Sequence, residues 1–514
     1  MTKFARIFRH PAVKSVIKTG GARTHHTYEG ARAFARTDKS ELFLLAITNM
    51  VAERTFYEAG DDRDRRFVEL IHKVTLDDPD WVRRFVPWLR NEANMRSAAI
   101  VVAAEYVAAG GEHGRAVVDS AIVRADEPAE MLAYWKGVHG RRIPQPIKRG
   151  VADAATRLYG EYTAMKYDGL SRSWRMGDVI ELAHPKPRDG AQSDLFRYLL
   201  DRRHHPTETT VPATLTKIAR RSALEAMPVE QRREALGAEG AEMLTDAGIT
   251  WEWMAGWVPD GMDAAAWEAV IPSMGYMALL RNLRNFDEAD ISKEMVRYVE
   301  DRLTDADAVR RSRQFPYRFF SAYKNVPSVR WVPALETALD LAVDNVPRFG
   351  GRTLILTDTS ASMTAPVSRR SSIAHFEIAA VFAASVAKKA DSVDLVSFAS
   401  GSETIRFRTN ESVLRTVQRV HDRIGFVGHG TMPGQAIRRH YWGHDRVVVF
   451  SDMQTADQLP ALRGATVFVF NTGGYAKTPL EVGAHGRYEL GGFTDATFRL
   501  MKVLDERQDD TWPF

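Results

Sequence analysis

Leu356-Thr357-Asp358-Thr359-Ser360-Ala361-Ser362 decides the reading of this chain. An apolar run over 353–356 ends on an acidic, hydroxyl-rich turn of the pattern Asp-x-Ser-x-Ser. A carboxylate and two hydroxyls at alternate positions of a tight turn converge oxygens on one point. Oxygen-only coordination suits a hard divalent cation such as Mg2+, which takes octahedral geometry and keeps some of its waters. Two further segments extend the pattern. Gly428-His429-Gly430-Thr431 places a hydroxyl in a Gly-rich loop, and Val447-Val448-Val449-Phe450-Ser451-Asp452 is a second apolar run ending on an aspartate. The plain alternative is a Ser/Thr/Asp turn that only caps the next helix.

Around residues 347–351 the periodicity changes. Strands are expected at 353–356, 393–398, 446–450 and 465–470, and helices at 372–389, 412–423 and 433–440. Strands alternating with helices imply a parallel sheet covered on both faces. In such sheets ligands bind beyond the carboxyl ends of the strands, where Asp358 and Asp452 both fall. The five residues Asp358, Ser360, Ser362, Thr431 and Asp452 resemble the metal-ion-dependent adhesion site of von Willebrand factor A domains, with every motif position filled. The resemblance implies a Mg2+ held by these side chains, directly or through water, with one position left for a partner's carboxylate.

The first two-thirds of the chain read as helices. Asp38 with Glu41 three residues on is a capping-box variant, and Asp78-Pro79 supplies an N-cap followed by proline at the first helical position. An alanine- and valine-rich helix over 97–109 stops at Gly110-Gly111, and helices are expected over 112–123, 128–138, 267–284 and 292–303. Residues 205–250 carry weaker apolar periodicity, and helices with exposed connections are expected there. Short amphipathic helices in succession suggest stacked pairs of the HEAT type, although no strict sequence period is visible.

The bulk numbers set bounds. With 514 residues the chain has room for two or more domains. No apolar stretch reaches the roughly 18 uncharged residues of a membrane span, and the N-terminus lacks a signal-peptide apolar core. The absence of cysteine excludes disulfides, zinc–thiolate sites and thiol catalysis and fits a cytoplasmic protein. The net charge is only +4 but unevenly spread. Residues 1–40 carry nine Lys/Arg against Glu29 and Asp38, residues 141–203 thirteen basic against eight acidic, and residues 308–335 six basic and no acidic. Segregated positive charge suits a polyanion or is a solvated basic face without a partner.

Several stretches in the helical region are similar to the TROVE domain of the Ro autoantigen family, in that family's order. They are Glu41-Leu-Phe-Leu-Leu-Ala-Ile-Thr-Asn-Met50, Glu53-Arg-Thr-Phe-Tyr-Glu58, Arg142-Ile-Pro-Gln-Pro-Ile-Lys-Arg-Gly150, Leu182-Ala-His-Pro-Lys-Pro187, Leu279-Leu-Arg-Asn-Leu-Arg-Asn285 and Phe315-Pro-Tyr-Arg-Phe-Phe-Ser-Ala-Tyr-Lys324. Bacterial members of the family fit best. The resemblance implies a multidomain α plus α/β fold: a ring of HEAT-like helical repeats closed by a C-terminal Rossmann-like A domain. The corresponding division is a basic N-terminal arm over 1–20, a TROVE helical-repeat domain over 21–345 and an A-like domain over 346–514. It further implies a monomer that binds small structured noncoding Y-type RNA on a basic outer surface. Single-stranded 3′ ends of misfolded RNA enter the central hole, and an exoribonuclease such as polynucleotide phosphorylase is the partner. The 205–250 stretch and the first forty residues match nothing in the family pattern.

The candidate RNA contacts are basic groups. His184 and Lys186 sit on a rigid His-Pro-Lys-Pro turn, with Lys166, Arg172 and Arg175 just upstream. Such groups position a duplex through phosphate and shape without reading its sequence; His184 is equally placed to cap a helix C-terminus. Tyr167 and Trp174 are available for stacking or for the core. Arg281 and Arg284 share a helix face opposite Leu280 and Leu283, either lining a hole or pairing with acidic neighbours such as Asp287. Arg313, Arg318 and Lys324 lie in the acid-free run, where Phe315, Phe319 and Phe320 read as core. Position 360 is Ser where an aspartyl phosphatase needs a second carboxylate, no Gly-x-Ser-x-Gly elbow surrounds it, and there is no Walker-type loop. The sequence reads as a binding protein and not an enzyme, either an RNA scaffold or a metal-dependent adaptor capturing an acidic partner residue.

Overall fold

The computed structural model describes residues 25–26, 32–33, 37–48, 60–312, 314, 316–367, 373–452, 454–462, 464–472, 486–491, 495–506, 512 and 514. The N-terminal arm expected over 1–20 lies outside these residues. Packing divides the chain into two compact units, one built on Ile71–Asn91 and Arg96–Arg302, the other on Leu303–Phe514 with the segment that ends at Leu70. A helical part and an α/β part are the fold class expected of the chain.

The helical unit is a succession of short helices. At its centre lies Arg96–Ala108, whose residues from Ala98 to Tyr106 are all buried, Glu105 included. A helix that is apolar on every side needs neighbours on every side, and the Pro79–Asn91, Gly114–Ser120 and Glu127–Val138 helices supply them. The stop at Gly110-Gly111 is set by geometry. Gly110 adopts φ 86, a left-handed conformation. At Gly111 a Cβ would lie within 2.6 Å of the Tyr106 ring. Asp78 caps the next helix as its sequence implies, its carboxylate accepting the Trp81 N–H at 3.0 Å.

Two local expectations are corrected. The cap of the Asp38–Thr48 helix is Thr37, whose hydroxyl accepts the Ser40 N–H at 3.2 Å, while Glu41 is taken up by Arg66. The helix expected over 267–284 is two helices, Ala264–Val270 and Tyr276–Glu288, separated by a 3-10 turn; Pro272 cannot donate the backbone bond that continuity requires. Residues 205–250 do hold short helices, Thr216–Ala226 and Ala238–Asp246.

A two-residue ribbon pairs β1 (His25–His26) with β2 (Arg32–Ala33). The main sheet contains β3 (Phe349–Asp358), β4 (Ala390–Phe398), β5 (Ser402–Ile405), β6 (Arg446–Ser451), β7 (Thr466–Asn471) and β8 (Arg487–Gly491), in the order β5-β4-β3-β6-β7-β8. All pairings are parallel except the β4/β5 hairpin. The four expected strands are present, three of them longer and the fourth shifted by one residue; β5 and β8 complete the edges. Leu354, Leu356, Val396, Phe398, Val447, Val449, Val467 and Val469 bury one face with Ala436 and Ile437 of the Pro433–His440 helix. On aromatic stacks the other side closes: Phe382 meets Phe498 at 4.6 Å, and Phe450 meets Phe470 at 4.5 Å. Each such buried side chain contributes roughly 1.5–3 kcal/mol of transfer free energy. The strand order reverses between β3 and β6, so the crevice of this sheet opens at their carboxyl ends.

Candidate metal site and basic surface

Parallel pairing sets Thr357 beside Phe450, which brings Asp358 level with Ser451 and one residue short of Asp452. Asp358, Ser360, Thr431 and Asp452 are all buried, and Ser362 is exposed at the rim. The Asp358 carboxylate accepts the Ser360 N–H on Oδ1 at 2.9 Å and the Ser451 hydroxyl on Oδ2 at 2.6 Å. Ser360 Oγ lies 3.2 Å from Ser362 Oγ. Asp452 Oδ1 accepts the Gln454 N–H at 3.1 Å. Burial, followed by the neighbouring negative charge of Asp452, pushes the Asp358 carboxyl up to about 7 against the pull of its Ser451 and Ser360 hydrogen bonds.

The Thr431 loop is fixed from two sides. Ser400 Oγ accepts the Gly430 N–H at 2.8 Å, the Met432 N–H reaches the Ala399 carbonyl, and the Thr431 carbonyl accepts the Ala456 N–H at 2.9 Å. Asp457 accepts both Gly434 and Gln435 N–H groups at the head of the following helix. A Cβ at Gly434 would lie 1.9 Å from the Gln458 carbonyl oxygen, so only glycine fits there.

Two buried carboxylates and three hydroxyls form an oxygen-only set of the kind a hard cation takes. Among the described residues no group of three or more His, Cys, Asp or Glu is arranged to hold a metal. Ser451 and Asp457 escaped sequence reading. The first directly precedes Asp452 in the motif, and the second leaves no signal beyond a helix start 24 residues upstream.

The helical unit carries the larger set of basic candidates. Lys166, Arg172, His184 and Lys186 are exposed. Lys166 Nζ stands 5.4 Å from the Tyr167 ring centre and 5.7 Å from that of Tyr162; Arg124 lies over Tyr167 at 5.2 Å and Lys136 over Trp174 at 5.1 Å. Arg172 is 3.8 Å from the Asp126 carboxylate. His184 caps the Met176–Ala183 helix in a left-handed conformation (φ 52), its backbone N–H bonded to the Ile180 carbonyl. The imidazole is therefore left at the surface. Arg175 is different: it is buried and bonded to Asp168 at 2.7 Å and to the Arg202 carbonyl. Arg124, Lys136 and Tyr162 were not anticipated, since only folding places them beside Tyr167 and Trp174.

Elsewhere the basic candidates are dispersed. Arg281 and Arg284 are exposed on the Tyr276–Glu288 helix, with Arg284 paired to Glu288 at 2.7 Å rather than to Asp287. Arg318 is exposed, and Lys324 is bound to both Glu377 oxygens at 2.7 and 2.9 Å. Phe319 and Phe320 are core. Arg313 and Phe315 lie outside the described residues. No described helix is long and apolar enough to cross a membrane.

A succession of paired helices joined in one chain to a parallel sheet, with aspartates at the switch point, defines a helical-repeat protein bearing a von Willebrand factor A-like domain. Residues 212–330 match the model of the TROVE domain. The chain is 28% identical over 254 residues to the protein named "RNA-binding protein RO60" of Deinococcus radiodurans, an alignment spanning 46% of this chain and 44% of that relative. It therefore spans less than half the length of the curated relative it matches. The crystal structure of the Deinococcus radiodurans RO (RSR) protein superposes with a TM-score of 0.65 at 20% identity, covering 91% of this chain and 99% of that one. Residues 212–330 are thus similar to the TROVE domain, and the chain shares the fold of the Ro protein.

Proposed function

We propose that this protein is an RNA-binding scaffold without catalytic activity of its own, working in the cytoplasm as a monomer. The observation that carries the reading is the cation–aromatic surface of the helical unit. There Arg124 and Lys166 stand over Tyr167, Lys136 over Trp174, and Arg172, His184 and Lys186 lie exposed nearby in sequence. Ammonium and guanidinium groups neutralise phosphates, and rings offer stacking to unpaired bases. The relative from Deinococcus radiodurans carries RNA binding in its name. The finer reading is that small structured Y-type RNA docks on the basic surface and that 3′ ends of misfolded RNA enter a central hole. An exoribonuclease such as polynucleotide phosphorylase then acts on RNA the scaffold presents.

A second reading concerns the A-like domain and does not exclude the first. Mg2+ held by Asp358, Ser360, Ser362, Thr431 and Asp452 serves there as an adaptor for an acidic residue of a protein partner. The exposed Ser362 rim beside four buried donors favours it.

The test is crosslinking and sequencing of RNA that co-purifies with the intact protein and with a Lys166→Glu/Arg172→Glu variant. A discrete structured RNA, lost in the variant, is expected. The log–log salt slope of binding should flatten by about 0.9 for each phosphate contact removed. No enriched RNA with the unaltered protein overturns the scaffold reading and leaves the adaptor.

A further inference from the structure

Within the C-terminal unit lies a cavity of about 780 Å3 that none of the assignments above uses. Its walls come from the Pro316–Asn325, Val332–Val343, His375–Lys389 and Val413–His421 helices and the segment leading into the last of them. The volume is in the range of small-ligand sites, which are typically about 300–1,000 Å3.

Two pairs of rings face it. Phe320 and Tyr323 lie 6.4 Å apart at 30°, and Phe376 and His421 lie 5.5 Å apart at 44°. The rings within each pair are tilted to one another, and the exposed members, Tyr323 and His421, offer aromatic surface on which a heterocycle can stack. The charges on the lining are partly spent. Lys324 and Glu377 neutralise one another, and Glu377 also accepts the Ala374 N–H at 2.9 Å. What remains is two carboxylates and one cation. Glu411, buried and bonded to Arg419 through Oε1 at 2.7 Å, keeps Oε2 without a partner. The Glu336 carboxylate and the Arg415 guanidinium also have no side-chain partner among the described residues.

A ligand for this cavity needs a flat aromatic body, N–H donors for carboxylates and an anionic group for arginine. An amino acid meets the charges but leaves the ring walls and most of the volume unused. A nucleoside triphosphate brings more negative charge than Arg415 and its neighbour Arg408, itself 3.8 Å from Glu411, can balance. We propose that this cavity binds a free purine nucleoside monophosphate, the base stacked on the Phe376/His421 and Phe320/Tyr323 rings and donating to Glu336 and Glu411, with the phosphate on Arg415. This goes beyond the RNA-scaffold reading and stands on different residues.

The test is isothermal titration of the full chain with AMP, GMP, UMP and adenosine. AMP or GMP is expected to bind saturably at one site and UMP more weakly. Arg415→Ala, a change at an exposed side chain, should weaken AMP at least about tenfold, equivalent to 1.4 kcal/mol, and leave adenosine unchanged. Phe376→Leu should weaken both AMP and adenosine. Absence of saturable binding by either purine monophosphate overturns the proposal, as does AMP affinity unmoved by Arg415→Ala. A short oligoribonucleotide that displaces AMP with higher affinity overturns it in favour of an RNA terminus. The Lys166→Glu/Arg172→Glu variant should bind AMP normally, so failure of the RNA-scaffold reading and failure of this one are separable.

Discussion

Glu105 in the helical unit and Asp358 in the α/β unit are both fully buried carboxylates, and their surroundings treat them oppositely. Glu105 receives Tyr134 Oη at 2.6 Å and His139 Nε2 at 2.9 Å on one oxygen, and His72 Nε2 at 2.7 Å on the other. Burial raises its pKa, but the His139 and His72 bonds, with the His139 charge and Tyr134, more than offset this and hold it down at about 2. Asp358 has two serine donors and a second carboxylate close by, and rises to about 7. A buried acid saturated by donors is structural. One left facing another acid keeps a repulsion that a bound cation would relieve.

The contrast can be broken by mutation. Glu105→Ala leaves the buried Tyr134 hydroxyl without its acceptor and two partly exposed histidines without their partner, and should lower unfolding free energy by about 3 kcal/mol, the upper end for an unsatisfied buried group. Urea denaturation monitored by circular dichroism measures it. Asp358→Asn in metal-free buffer should cost far less, because it removes one of two mutually repelling charges. Equal losses would erase the distinction drawn here.

Acid sharpens the contrast. The folded pKa of Glu105 lies below its ordinary value near 4.5, so its contribution is present above that value and is lost as pH falls through about 2. The amount is on the order of 3 kcal/mol at 1.36 kcal/mol per pH unit. Denaturant midpoints between pH 5 and 2 should fall more steeply for the parent chain than for Glu105→Gln; parallel curves would refute the assignment.

Magnesium provides the third comparison. If the five oxygens bind the ion, Mg2+ at a hundred times its dissociation constant should add about 2.7 kcal/mol to the stability of the α/β unit, removable by chelator. Asp358→Asn should abolish the gain and Glu105→Gln should leave it intact. Smallest is Arg284→Ala, which deletes a largely exposed i,i+4 pair with Glu288; the expected loss is about 0.3–0.5 kcal/mol. A larger loss would mean that the basic face carries structural load.

The two units also differ in how far their sequences could be read. In the sheet, continuous apolar runs ended by aspartates made strands and candidate donors plain, because a central parallel strand is buried on both faces. β5 and β8 are short edge strands with mixed sequences, Ser-Glu-Thr-Ile and Arg-Tyr-Glu-Leu-Gly, and carry no comparable signal. Basic residues were legible as charge but not as surface. Arg175 and Lys324 look in sequence like Lys166 and Arg172, yet Asp168 is seven residues from Arg175 and Glu377 is fifty-three from Lys324. Partners that far along the chain leave no local pattern.

That distance has a consequence for how the protein is made. The serine that steadies Asp358 is 93 positions later in the chain, on a strand that pairs with β3 only after β4, β5 and their helices have been synthesised. A nascent chain ending short of residue 446 has a hydrated, exposed acid at 358 and no second carboxylate at 452 to share an ion with. Closure of so long a loop is slow compared with local helix formation. If the five oxygens bind Mg2+, the α/β unit should acquire that affinity in one late step, and the ion would report that β6 has found its place.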